Sequence, residues 1–290
     1  MTTPRDWIDG ARPRTLWTSL SPVLVGSAAA GALGSFRPFH AVLALIVGLA
    51  LQIASNYAND YADGVRGTDV NRIGPSRLVA SGRARPSAVK RSAYIASVVG
   101  GVAGVALCAV SGQWWLIVIG GIAVAAAWAY TATANPYGYR GWGEVSVLVF
   151  FGPVALLGTM LTQAGTVTWW AVVASFSVGL YAVALLMVNN IRDIEGDVLA
   201  GKRTLAVRMG DRASRQMFAA VVVAPIAGAL LIGLELPWAM LAALMAFPSL
   251  VVAITVWLGA RGPALKPVFL GLSGIGMTYG LLLAFGIALG

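Results

Sequence analysis

Long apolar blocks, separated by short polar stretches, recur along the whole chain at about 15–34, 39–58, 93–111, 114–134, 145–163, 168–188, 216–233, 238–258 and 268–288. An α-helix rises 1.5 Å per residue, so about 20 apolar residues cross a hydrocarbon core of roughly 30 Å. The pattern predicts an all-α fold: a polytopic membrane helical bundle of about nine transmembrane helices around a central cavity open to the cytoplasmic side. No linker, low-complexity stretch or soluble module interrupts it, and residues 1–290 read as one integral membrane domain.

Composition agrees. The chain is 58% apolar and only 11% charged, with a mean hydropathy of +0.80, which is less than half the charge of an ordinary soluble domain. Residues 1–14 are basic and precede an apolar run, and "SAAAGALG" resembles a signal-peptidase site. Eight further blocks favour an uncleaved first span. The single Cys108 and single His40 leave no disulfide, no thiol or imidazole metal site, and no basis for a catalytic histidine. Trp7, Trp17, Trp114, Trp115, Trp169 and Trp170 lie near span ends, where aromatic belts form. The 35 glycines and 13 prolines suit close helix packing and broken spans.

Charge fixes the orientation. With nine spans and the N-terminus inside, every Lys and Arg except Arg37 falls on the N-terminal side. The positive-inside rule then places the N-terminus in the cytoplasm and the C-terminus outside, in a multi-pass protein of the cell (inner or plasma) membrane. The net charge of +9 has two readings, topology with anionic headgroups or a polyanionic substrate; neither calls for nucleic acid.

The acids are the anomaly. Of 11 Asp and Glu, six lie in two segments, "NYANDYADGVRGTD" (Asp60, Asp63, Asp69) and "NNIRDIEGDVLAGKRTLAVRMG" (Asp193, Glu195, Asp197). Asn189, Asp193 and Asp197 recur every fourth residue and share a helix face, as do Asn56, Asp60 and Asp63, with Asn59 beside them. The Asn-x-x-x-Asp echo, each copy followed by an arginine-rich loop, hints at a duplicated bundle. Like charges on one face repel, and more so near a bilayer. A cation between the clusters relieves this. Carboxylate and amide oxygens favour hard Mg²⁺, with Mn²⁺ the alternative, over zinc or copper. Arg66, Arg72, Arg77, Lys202 and Arg203 follow the acids and suit a clamp on phosphate oxygens opposite the metal. The implied ligand is a lipid diphosphate. Asp69 has two readings, a turn residue or a further ligand. Tyr139, Arg140 and Glu144 also have two, a loop-fixing network or contacts to an acceptor's carboxylate or hydroxyls.

These motifs resemble the UbiA superfamily of intramembrane aromatic prenyltransferases, which pairs an "NDxxDxxxD"-like motif with "DxxxD" across a bundle usually of nine helices. "NDYAD" covers Asn59 to Asp63 and "DIEGD" covers Asp193 to Asp197. The family's third aspartate would fall at Gly67, two residues before Asp69. "ARPRTL", "GTDVNRIGPSRLVASG", "YGYRGWGEV" and "FFGPVALLGT" look like the branch that prenylates 1,4-dihydroxy-2-naphthoate in menaquinone synthesis. The resemblance runs from about residue 11 to 210. It implies transfer of a polyprenyl group from polyprenyl diphosphate to 1,4-dihydroxy-2-naphthoate, with loss of diphosphate and CO₂. It implies Asp60, Asp63, Asp193 and Asp197 as catalytic metal ligands, with Asn59 and Asp69 in the metal shell. Asn56, Asn189 and the five basic residues would bind diphosphate, and Tyr139, Arg140 and Glu144 the acceptor. Three rivals are a sister enzyme with another acceptor, a CDP-alcohol phosphotransferase and an ion-coupled transporter. "GTDxxRxGPxR" argues against the first. The phosphotransferase motif "DGxxAR" is not met by "DGVRGTD", and a transporter is expected to carry its acids nearer the midplane.

Overall fold

The fold is that of a computed structural model describing residues 2–68 and 77–290, and those residues contain helices and turns but no strand. The short α1 (Pro4–Ala11) starts at a capping box: the Thr3 hydroxyl accepts the Asp6 amide while the Asp6 carboxylate accepts that of Thr3. It ends at Arg12, the one non-glycine residue among those described with a positive φ, at 57°. Then come α2 (Trp17–Ala32), α3 (Pro38–Arg66), α4 (Pro86–Ser111) and α5 (Leu116–Thr131). Proline at the first turn of α3 and α4, and left-handed Gly67 and Gly112 after them, set their ends.

A broken helix follows, α6 (Gly143–Val149) and α7 (Ala155–Ala164) joined by a π-turn at Phe150–Val154 that contains Pro153. Here the chain presses against α8 (Trp169–Leu199): a Cβ on Gly152 would lie 2.6 Å from the Ser175 carbonyl oxygen, so only glycine fits. The remaining elements are α9 (Leu205–Ile232), α10 (Ala246–Trp257) after a 3₁₀ stretch at Pro237–Met245, and α11 (Leu265–Leu289). The α8 helix is the axis of the bundle, with α2, α6, α9 and α11 packed around it.

Seven helices, rather than the expected nine, are long and apolar enough to cross a membrane among the described residues. The other two expected blocks form the 16-residue helices α2 and α5. At 1.5 Å per residue, each is about 24 Å long, short of the roughly 30 Å core. Their apolar runs extend into 3₁₀ turns and caps, so hydropathy overstates the helix. The chain is a multi-pass membrane protein.

Candidate active site

Both Asn–Asp–Asp sets lie on regular helix. The α3 helix runs unbroken to Arg66 and α8 to Leu199, so the fourfold spacing does place each Asn–Asp–Asp set on one face at a helix end. A cavity of about 510 Å³ separates the two helices, and Asn56, Asn59 and Asn189 all line it, joined there by Arg12 and Thr15. Its walls beyond these amides are largely apolar, from Leu51 and Gly104 to Phe150 and Phe151 of the π-turn.

The first set is buried. Asp60 is 1% exposed and accepts the backbone N–H groups of Leu78 at 2.8 Å and Val79 at 3.0 Å, which fixes the turn after the 69–76 segment to α3. Asp63 receives the Tyr139 hydroxyl, with Lys202 Nζ 3.6 Å from one oxygen and Arg77 Nη2 3.8 Å from the other. The Lys202 ammonium also lies 4.6 Å from the centre of the Tyr139 ring. Burial, with the Asp63 charge beside it, pushes the Tyr139 hydroxyl well above the usual phenol range, so it stays protonated as the donor to Asp63. Asn56 donates to the Ala11 carbonyl at 2.8 Å, tying α3 to the N-terminal segment, and Asn59 accepts from the Thr131 hydroxyl.

The second set is half-buried. Asp193 forms a two-point pair with the preceding Arg192, at 2.7 and 2.8 Å. Asp197 accepts from the Thr204 hydroxyl at 3.3 Å, and its backbone carbonyl receives the Lys202 amide at 2.8 Å. Lys202 thereby links the second acidic loop to Asp63 of the first. Asn189 donates to the Leu185 carbonyl.

The other expected site residues divide. Arg66 donates to the Thr131 and Thr133 carbonyls at the end of α5 and so closes that helix. Arg203 and Arg140 line a separate pocket with Arg208. Glu144 is buried, with one oxygen on Asn190 at 2.8 Å and the other without a hydrogen-bond partner. Asp69 and Arg72 lie outside the described residues.

Three participants escaped the sequence reading: Arg12 and Gln52 on the cavity wall, and Arg192 on Asp193. Arg12 carried a signal, since it stands between "GA" and "PRT" where the first helix must stop.

Among the described residues no three acidic, histidine or cysteine side chains come close enough to hold a metal unaided. Mg²⁺ does not demand that, because one or two carboxylates with water and substrate phosphates complete its shell. The donor chemistry fits such an ion: oxygen ligands only, and cations already drawn to Asp63 and Asp193.

The model of the UbiA prenyltransferase family matches residues 19–288. The chain belongs to that family. Curated relatives include the 1,4-dihydroxy-2-naphthoate octaprenyltransferases of Mycobacterium leprae (46% identical, 90% of this chain and 89% of that one) and of Escherichia coli (40%, 75% and 72%). Among solved structures, a UbiA homolog from Aeropyrum pernix K1 in its apo form superposes with a TM-score of 0.69 at 19% identity, over 93% of this chain and 97% of that one. A homolog from Archaeoglobus fulgidus bound to GPP and Mg²⁺ gives 0.68 at 15%, over 96% and 99%. The all-helical fold of this UbiA-family chain is shared with both.

Proposed function

We propose that the chain transfers a polyprenyl group from polyprenyl diphosphate to 1,4-dihydroxy-2-naphthoate, releasing diphosphate and carbon dioxide and yielding demethylmenaquinol, the reduced form of demethylmenaquinone. The observation that carries this reading is one cavity with two kinds of wall: the amides of Asn56 and Asn59 on α3 and Asn189 on α8, each within about one helical turn of an aspartate, and apolar helix walls beyond. The curated relatives carry that activity in their names over most of their length. The relative from Archaeoglobus fulgidus bound to DMAPP and Mg²⁺ supports a prenyl diphosphate with a divalent ion in the same fold.

Asp63, Asp193 and Asp197 would hold the divalent ion, with Asp60 and Asn59 beside them; Mg²⁺ is the first choice and Mn²⁺ suits the same oxygens. The ion, when bound, supplies positive charge that stabilises diphosphate as it leaves. Lys202 and Arg77, already beside Asp63, clamp the phosphate oxygens, with Asn56 and Asn189 at the cavity edge. The bond between the allylic carbon and its diphosphate oxygen breaks, and its electron pair leaves with diphosphate. The naphthalene carbon bearing the carboxylate supplies the pair for the new C–C bond. The pair of the C–CO₂ bond then returns to the ring as CO₂ departs. The apolar wall holds the isoprenoid tail and keeps water from the allylic cation. Tyr139, donating to Asp63, orients that carboxylate, while Glu144 belongs to the acceptor side and Arg140, expected there from the sequence, faces the separate pocket with Arg203 and Arg208. We place the acidic mouth and N-terminus in the cytoplasm, on the charge asymmetry, and read residues 1–290 as one domain.

The test is an assay on purified protein in detergent with a polyprenyl diphosphate, Mg²⁺ and either 1,4-dihydroxy-2-naphthoate or 4-hydroxybenzoate. Product with the naphthoate alone, lost on chelation, is expected. Product with 4-hydroxybenzoate overturns the acceptor, and no prenylated product from folded protein overturns the reaction.

A further inference from the structure

Tyr139 and Arg140 are neighbours in the chain but face different places. The Tyr139 hydroxyl reaches Asp63 at the acidic end of α3. Arg140 instead joins Arg203 and Arg208 around a second cavity of about 500 Å³, floored by Tyr139, Asn135 and Gly201. All three arginines are exposed, and none has an ion-pair partner among the described residues. The backbone holds them together: the Arg203 amide donates to the Tyr139 carbonyl at 2.8 Å, and Arg208 Nε donates to the Arg203 carbonyl at 3.1 Å. Gly141 lets Arg208 approach, since a Cβ there would lie 3.1 Å from its Cδ, and its φ of 82° also favours glycine.

Three guanidinium groups held around one opening repel one another, and a multivalent anion is what relieves them. Planar guanidinium forks bind phosphate oxygens in pairs. We infer that this pocket is a second anion site, one that takes free diphosphate without a metal, and that it receives the leaving group from the acidic mouth. Its position supports diphosphate rather than a lipid phosphate: the pocket shares the Tyr139 wall with the acidic site, and Lys202, beside Asp63, lies between Gly201 and Arg203 in one loop. The role as receiver rests on the prenyl-transfer reading; the anion site itself does not.

The test separates the two. Purified protein is titrated calorimetrically with inorganic diphosphate in EDTA, so that the acidic site holds no divalent ion. Wild type is expected to bind one equivalent. Arg208→Gln should weaken it at least about tenfold, the scale of one charge-assisted hydrogen bond. Arg208→Lys, which keeps the charge but gives up the guanidinium fork and the bond to the Arg203 carbonyl, should weaken binding less than Arg208→Gln. Thermal unfolding of each variant in detergent checks that it is folded. Absence of binding in EDTA, or equal affinity in wild type and Arg208→Gln, overturns the site. Repeating the titration in nanodiscs of phosphatidylcholine with and without phosphatidylglycerol tests the source. Equal affinity in both supports free diphosphate, and a loss confined to the anionic discs assigns the pocket to a lipid headgroup instead. Failure of the prenyl-transfer assay leaves every one of these outcomes readable.

Discussion

Asp60 and Asp193 occupy the same place in the two Asn-x-x-x-Asp segments, yet different groups hold them. Asp60 is sealed in the bundle, and its oxygens take two backbone N–H groups from the turn 18 and 19 residues further on. Asp193 sits half-buried on the other side of the cavity, paired at two points with the Arg192 side chain. One carboxylate is therefore part of the scaffold and the other is held by a partner that can move. An ionised carboxylate has about four acceptor sites, so Asp60 can carry its turn and still face a cation. Asp193 must exchange its arginine for one. A shared spacing thus does not imply a shared duty: α3 supplies a fixed wall and α8 an adjustable one.

The largest effect tests what the two sides have in common. Asp63→Ala and Asp193→Ala are each expected to lower prenyl transfer by about 10²–10³-fold, the scale of losing one electrostatic stabiliser of a charged leaving group. Rates of product formation at saturating Mg²⁺ check it. Near-wild-type turnover in either variant would remove that side from the site.

Asp60→Asn should then separate the sides through stability. The amide keeps one acceptor oxygen and turns an NH₂ toward a backbone N–H, so one buried bond is replaced by facing donors. A loss of about 1.5–3 kcal/mol is expected, as for hydrogen bonds to charged groups. The matching Asp193→Asn variant should lose less, because its amide oxygen still accepts from the Arg192 guanidinium. Thermal unfolding in detergent reads both, and equal shifts in the two variants would erase the distinction between fixed and adjustable walls.

Much of the architecture was readable in advance because hydropathy and helical period are local signals. The spans, the helix ends carrying the acids, and the shared face of Asn56, Asp60 and Asp63 all follow from spacing. What was not readable depends on contacts between distant residues. Nothing in "NYANDYAD" says that Asp60 will accept from Leu78 and Val79, because those partners lie 18 and 19 residues further along the chain. Arg66 looked like a phosphate clamp by its place after the acids, whereas its guanidinium closes the end of α5. The nine apolar blocks give seven helices of spanning length among the described residues, because at α2 and α5 the apolar composition continues past the last helical hydrogen bond. Arg192 was missed for a further reason: neighbours at i and i+1 do not normally face each other on a helix. Only a long, forked side chain can turn back onto the next residue.

That last contact yields the smallest and sharpest test. If the Arg192 guanidinium stands on Asp193 where a divalent cation must come, the two compete, and the pair is disrupted each time the ion binds. Removing the arginine should then make the ion easier to bind. Arg192→Gln is expected to lower the Mg²⁺ concentration for half-maximal prenyl transfer at least about fivefold, equivalent to about 1 kcal/mol, since even an exposed ion pair reaches that scale and this one is largely buried. The backbone N–H groups on Asp60 do not compete in this way, since they are fixed by the turn and carry no net charge. A Mg²⁺ titration of initial rates in the two proteins decides it. A half-maximal concentration that is unchanged or raised would mean that Arg192 orients Asp193 for the ion, as outer-shell partners of metal ligands do, and both walls of the cavity would then be fixed.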